Sequence, residues 1–224
     1  IHYMFGGQKS IPMVLRAPDG MINQAAAQHS QSVEAFFAHI PGLKVIIPSN
    51  PADAKGLLKA AIRDDNPVIY FEHKGLFSMK GDVPDGDYVT PIGKANVVRE
   101  GKDVTLVSYS MMMNHAIKAA DELEKGGISV ELIDLRSVSP IDEETILTSV
   151  AKTTRLVIAH EAVKRCGVGA EIAAIVAEKA IGCLDAPIVR VGSPFTPVPF
   201  ARILEKEYRV TAETIVAGVR KVFA

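Results

Sequence analysis

The sequence predicts an α/β protein built from two parallel-sheet units joined by a turn-rich stretch. Three observations carry that expectation. Short runs rich in Val, Ile and Leu alternate with longer amphipathic segments, the pattern of buried parallel strands connected by helices. The alternation breaks between Met79 and Pro91, where "MKGDVPDGDYVTP" brings Gly, Pro and Asp turn chemistry, and then resumes. With 224 residues and 48% hydrophobic content, the chain can supply one large core or two small ones.

The elements follow in order. Ile11 to Arg16 is an apolar run after Gly6-Gly7 and reads as a buried strand closed by Pro18-Asp19-Gly20. Ser30 is a good N-cap for a helix burying Val33, Phe36, Phe37 and Ile40, ended by Pro41-Gly42. Leu43 to Pro48 is a second strand. Asn50-Pro51 then offers an N-cap and a first-turn proline to a helix burying Ala54, Leu57, Leu58, Ala61 and Ile62. Val68 to Phe71 completes a strand–helix–strand–helix–strand unit, which implies parallel pairing and right-handed crossovers. Beyond the turn-rich stretch, strands read at Val104–Tyr109, Val130–Leu135, Leu156–His160 and Ile188–Val191. Helices read at about Asn114–Lys125, Asp142–Ala151, Gly169–Ile181 and Thr211–Val222, giving a doubly wound unit of the flavodoxin-like kind.

Composition excludes several function classes. The formal net charge is −1 with no basic block, so there is no electrostatic footprint for nucleic acid or an anionic membrane. No apolar run approaches the roughly 20 residues of a membrane-spanning helix. Cys166 and Cys183 form no CxxC pair and read as reduced thiols. The chain opens without an initiator Met or signal-peptide pattern, as the remainder of a longer chain would.

Two stretches offer chemistry. His29, placed just ahead of a helix N-terminus, would feel the positive end of the macrodipole and could donate a hydrogen bond or accept a proton; it also reads as a histidine that satisfies backbone groups. The helix ending near Arg63 leaves carbonyls free. Ala61, Ile62, Asp64 and Asn66 could turn oxygens toward a hard cation, although spacing alone favours an ordinary C-cap stopped by Pro67. Cys166-Gly167-Val168-Gly169 resembles the start of a dinucleotide fingerprint, but position 172 is Ile, and the first strand of the second unit ends in Ser108-Tyr109-Ser110 without phosphate-cradling glycines. Close packing of a helix is the competing explanation for those glycines. His160-Glu161 stands at a strand's carboxyl end, where it could face a site or an interface.

Taken together, "YMFGGQ", "IPMVLRAP", "AAQHSQS…FFAHIPGLKVIIPSNPADAKGLLKAAIRDDNPVIYFEHK", "PIGKA", "VELIDLRSVSPID" and "GVGAEI" resemble the β subunit of 2-oxo acid dehydrogenase complexes over essentially the whole chain. The phrase "HSQSVEAFFAHIPGLKV" is closest to the acetoin and pyruvate members. The resemblance implies the C-terminal part of a thiamine-diphosphate pyrimidine domain over residues 1–80, a linker over 81–92, and a transketolase C-terminal-like three-layer α/β/α domain over 93–224. It implies an α₂β₂ heterotetramer whose α subunit holds the diphosphate and Mg²⁺, a second β subunit, and an acyltransferase core carrying lipoyl groups. Pyruvate, acetoin or a branched 2-oxo acid would be the substrate, in a bacterial cytoplasm or an organelle matrix. His29 matches the family's active-site histidine. Met13, Ala61, Ile62, Asp64 and Asn66 match a structural potassium site, with Met13 contributing its carbonyl.

The resemblance also marks a departure. The family's activating glutamate lies in the first third of the subunit, and none of Glu34, Glu72 or Glu100 sits in its motif. The chain alone is therefore expected to be inactive, with the second domain serving contacts rather than chemistry. Gly169–Ile181, apolar at Ile172, Ala173, Ile175, Val176 and Ala180, is expected to meet a second β subunit. A non-catalytic scaffold and a flavodoxin-like nucleotide-binding module are the alternatives.

Overall fold

The computed structural model describes residues 1–224. The first unit comprises β1 (Val14–Asp19), α1 (Ala26–His29), α2 (Glu34–Ala38), β2 (Lys44–Ile46), α3 (Pro51–Ile62) and β3 (Val68–His73). The second comprises β4 (Asn96–Arg99), β5 (Val104–Ser108), α4 (Met112–Lys125), β6 (Val130–Asp134), β7 (Ser137–Ser139) and α5 (Glu143–Thr153). It continues through β8 (Leu156–Val163), α6 (Val168–Ala180), β9 (Val189–Ser193), α7 (Arg202–Tyr208) and α8 (Ala212–Arg220).

The second unit has the expected doubly wound form. Its sheet runs β4-β6-β5-β8-β9, parallel except for β4 at one edge. Every residue of β5 and β6 is buried, as strands covered on both faces require. Helices α4 and α8 pack together on one face over Leu106, Leu132 and Val157. Helices α5 and α6 cover the other, over Val107, Ile133 and Ile158. The caps come from the residues at the boundaries. Asp142 accepts from Thr145 N–H at 3.3 Å to start α5, and Thr211 with Thr214 forms a reciprocal capping box for α8.

The first sheet runs β1-β3-β2-β7. Its three strands from the first unit are parallel, as read, and α3 starts where Asn50 accepts from Asp53 N–H at 2.8 Å with Pro51 behind it. The fourth strand, β7, comes from the second unit and pairs antiparallel with β2. The core is therefore continuous between units: Val45, Ile47, Ile69 and Phe71 share one cluster with Val107, Ile133 and Ile158.

Four expectations need correction. The first strand lies at Val14–Asp19 rather than Ile11–Arg16, and it is an edge strand with Leu15 and Arg16 exposed, not a buried one. The helix expected from Ser30 is broken: His29 ends the one-turn α1, Ser30 is that turn's C-cap, and α2 begins only at Glu34. Within α2, Glu34 points inward while Phe36 is 74% exposed, and beyond its end Ile40 is exposed as well, so the apolar stripe sits one step off the expected register. At the end of α3, Ile62 is likewise exposed.

The stretch 81–92 is held against α3. Tyr88 hydroxyl donates to the Ala52 carbonyl at 2.8 Å, Thr90 hydroxyl to Asp53 Oδ1 at 3.2 Å, and Lys55 to the Pro84 carbonyl at 2.6 Å. In α6, Ile172 and Val176 are buried inside the chain's own core, while Glu171, Glu178 and Lys179 face solvent. Ile175, outside that core, lines a cleft instead.

Candidate functional site

His29 sits on a loop, residues 20–32, that leaves β1 and returns into α2, its base closed where Gly20 N–H donates to the Gln31 carbonyl at 3.2 Å. The imidazole is exposed, whereas the neighbouring Ser30 is 2% exposed with no partner for its hydroxyl. Because His29 stands at the C-terminal end of a single turn, the macrodipole argument from a helix N-terminus does not apply to it. Gln24 and Ala26 on this loop carry φ of 55° and 51°, the left-handed region that non-glycine residues occupy only under constraint.

Beneath the loop lies a group of largely buried polar residues, of which only Glu161 stood out in the sequence as a residue that could face a site or an interface. Asp19 ends β1, Glu34 opens α2, His73 ends β3, Tyr109 follows β5, and Glu161 lies in β8. Tyr109 hydroxyl donates to Glu34 Oε1 at 2.6 Å. Glu161 accepts from Met21 N–H at 2.5 Å, from Ser32 hydroxyl at 3.1 Å, and from His73 Nε2 at 2.9 Å. Since His73 Nδ1 accepts from Gly75 N–H at 3.0 Å, the ring carries its proton on Nε2, facing Glu161. Gly20 has φ +76°, and a Cβ there would stand 2.1 Å from His73 Cδ2, so only glycine lets the imidazole reach Glu161.

Two carboxylate oxygens in this group, Asp19 Oδ1 and Glu34 Oε2, have no partner. Burial, with the Glu34 charge beside it, pushes Asp19 up to about 7. Burial also raises Glu34, against the Tyr109 hydrogen bond that favours its charged form, and raises Tyr109 itself. A cleft of about 1390 Å³ opens next to the group, lined by Ser30, Ser32, Phe36, Val138, Glu161 and Phe195 among others; His29 is not in its wall.

The other candidates separate clearly. Asp64 is ion-paired with Lys44 and accepts from Asn66 N–H at 2.9 Å. Burial works against its charge, but Lys44 and the amide outweigh it and hold Asp64 below the usual carboxylate range. The Met13 carbonyl accepts from Val68 N–H at 2.9 Å and the Ala61 carbonyl from Asp64 N–H at 3.3 Å. Ala61, Asp64 and Asn66 are thus linked at the end of α3, with the Lys44 ammonium on the Asp64 carboxylate, while Met13 is hydrogen-bonded to Val68, two residues past Asn66. Glu72 pairs with Arg16 and Glu100 with Lys152, both on the surface side.

The Gly167-Val168-Gly169 turn is filled from below. His160, fully buried, donates from Nδ1 to the Ala162 carbonyl at 3.0 Å and leaves Nε2 without a partner, and burial lowers it to about 4. A Cβ on Gly169 would lie 2.7 Å from that Nε2. These glycines make room for a histidine, not for a phosphate. Of the dipeptide His160-Glu161, one residue supports α6 and the other reaches the first unit. After β5, the place where a mononucleotide would sit in a flavodoxin-like unit is taken by Tyr109 and by the buried Met112.

Comparisons with known proteins agree with this architecture. The transketolase pyrimidine-binding domain model matches residues 1–80, and the transketolase C-terminal domain model matches residues 93–215. The chain is 51% identical, over 98% of its length, to acetoin:2,6-dichlorophenolindophenol oxidoreductase subunit beta of Cupriavidus necator, and spans 65% of that protein. It is 50% identical, over 98% of its length, to pyruvate dehydrogenase E1 component subunit beta of Rhizobium meliloti, spanning 48% of it. Among solved structures, a split gene transketolase described as an inactive beta4 tetramer superposes with a TM-score of 0.80 at 28% identity, over 95% of this chain and 67% of that one. The chain therefore spans between about half and two thirds of the curated relatives quoted. From the two matched units and the relatives that share them, the chain belongs to the transketolase-like β subunits of the acetoin and 2-oxo acid dehydrogenases.

Proposed function

We propose that this chain is part of the β subunit of a thiamine-diphosphate-dependent dehydrogenase of pyruvate or acetoin type, which cleaves a C–C bond next to a carbonyl and passes the acyl group to lipoamide. The observation that carries the proposal is His29 exposed on a loop fixed at the seam of the two matched units. The chain's chemistry suits the organic half of the cofactor. It offers an exposed imidazole and a buried, unpartnered Ser30 hydroxyl, and it has no glycine loop after β5 for a diphosphate. The diphosphate and Mg²⁺ would fall to the α subunit. Thiamine diphosphate, when bound, supplies the nucleophilic carbon and the electron sink.

The residues of this chain would bind and move protons. A ring nitrogen of His29 would donate a hydrogen bond to the oxygen of the substrate carbonyl and give it a proton as negative charge develops on that oxygen. Exposed Phe36 (74%) and Ile203 (75%) leave apolar surface for partner chains, which supports assembly with an α subunit, a second β subunit and the acyltransferase core. The helix-end residues Met13, Ala61, Ile62, Asp64 and Asn66 would hold K⁺ if the ion replaces Lys44 on Asp64.

The test is His29→Ala in the complete β subunit assembled with its α partner. Lipoamide-linked turnover of pyruvate, acetoin and branched 2-oxo acids should fall about 10²–10⁴-fold on the preferred substrate, the usual contribution of an acid–base residue. Turnover equal to wild type would overturn the assignment.

A further inference from the structure

The loop that carries His29 is held from the other unit. At its entry, Met21 N–H donates to Glu161 of β8, and at its exit Ser32 hydroxyl donates to the same oxygen, Oε1. Between them, Gln24 N–H donates to Glu205 of α7 at 3.0 Å. Arg209, ion-paired to Glu205 at 3.1 Å, donates to Asn23 Oδ1 at 2.9 Å. The Met21 side chain is buried with Val198 and Tyr208 of the second unit. Such a compact loop with closed ends is an Ω-loop, whose shape depends on what it packs against. Its left-handed Gln24 and Ala26 make the same point: strained backbone persists where the surroundings over-determine it, and the amide of Gln24 is the one Glu205 holds.

We propose that Glu161 and Glu205 are positioning residues for His29, so that the second unit sets the geometry of the reacting loop without touching the reacting groups. Glu205 is 2% exposed, and Glu161, although its side chain edges the cleft, has both carboxylate oxygens engaged, Oε1 by Met21 and Ser32 and Oε2 by His73. Glu161 is itself fixed by His73, which ties the clamp to the end of β3. The proposal rests on the reading of His29 as an acid–base residue, and the experiment separates the two.

In the complete β subunit assembled with its partner chain, hydrogen exchange is followed over residues 20–33 and over β3 and β8, with lipoamide-linked turnover measured in parallel. Glu161→Ala and Glu205→Ala should each speed exchange of the loop by about tenfold or more while β3 and β8 stay protected. They should lower kcat by about tenfold or more with a smaller change in KM, as misplacement of a reacting group does. Glu161→Gln, which keeps an acceptor oxygen for Met21 and Ser32 but turns its amide N–H toward His73 Nε2, should recover part of the loop's protection and of kcat. His29→Ala should lower turnover and leave exchange unchanged. If His29→Ala retains turnover while the glutamate variants still free the loop, the role of His29 fails and the clamp stands. Unchanged exchange over 20–33 in both glutamate variants overturns the clamp, as does loss of protection spread across β3 and β8. If Glu161→Ala fails to assemble, Ser32→Ala, which removes a single donor, carries the same test.

Discussion

Asp19→Asn should make the protein more stable above neutral pH, although it removes a charge that most surface aspartates would keep. Asp19 is buried with an unpartnered Oδ1, and the groups facing it are Glu34 from α2, Glu161 from β8, and His73 and Lys74 at the end of β3. The two carboxylates raise its pKa and the two basic residues lower it, but burial is the largest cause, and the sum lifts it from 3.8 to about 7. The folded state therefore binds a proton that the unfolded state has released, across the whole window from about 4 to about 7. Stability is intact below the unfolded value and is lost as pH rises through the folded one. Three units at about 1.4 kcal/mol each make the loss about 4 kcal/mol by pH 8. Asparagine does not ionise, and its amide can offer N–H to the acceptor-rich space beside Glu34. Urea unfolding from pH 4 to pH 8 should show the variant gaining on wild type by about 2–4 kcal/mol at the alkaline end and by little at the acid end. At about 2–4 °C per kcal/mol for a chain of this size, the melting point at pH 8 should rise by on the order of 10 °C. Parallel pH profiles for the two proteins would refute the reasoning.

Two more outcomes follow from named contacts. Gly169→Ala would press a Cβ to 2.7 Å from His160 Nε2, a ring fully buried against backbone, and should cost about 1–3 kcal/mol in denaturant unfolding; a neutral result would mean His160 can move aside. Asp64→Ala should blunt any rise in melting temperature that K⁺ gives over Na⁺, because an ion that binds only the folded state stabilises with its concentration. A flat response in wild type would leave Lys44 as the cation at that corner.

Much of the fold was legible because it depends on local signals. The runs Val104–Tyr109, Val130–Leu135 and Leu156–His160 are dominated by Val, Leu and Ile and became fully covered strands, and Asn50-Pro51 supplies the cap and first-turn proline that start α3. The failures share a cause. The edge position of β1, the transfer of β7 to the other sheet and the inward turn of Glu34 are all decided by residues distant in sequence. Ser30 looks like an N-cap, yet its side chain is buried beneath the loop and α2 begins later, at the residue that can reach Tyr109. The buried carboxylates followed no spacing rule, since they come from strand ends and a helix start gathered at one seam. The roles proposed for His29 and for Met13, Ala61, Ile62, Asp64 and Asn66 rest on resemblance. Nothing in their local pattern separates them from an ordinary histidine and an ordinary helix end.

The crossing of β7 into the first sheet gives the chain a folding boundary that differs from its covalent one. A protease cutting within residues 81–92 would sever the only stretch of backbone between the units, yet Ser137–Ser139 would remain zipped to Lys44–Ile46 and the common apolar cluster would stay shut. Ser139 hydroxyl to the Leu43 carbonyl at 2.7 Å and Arg136 to Asp53 at 2.9 Å would bind the same join. Nicked protein should therefore migrate as one particle until denatured. A gene divided at that point would yield two polypeptides, the second with its own α4–α8 cluster complete, that must find each other to close the cluster they share.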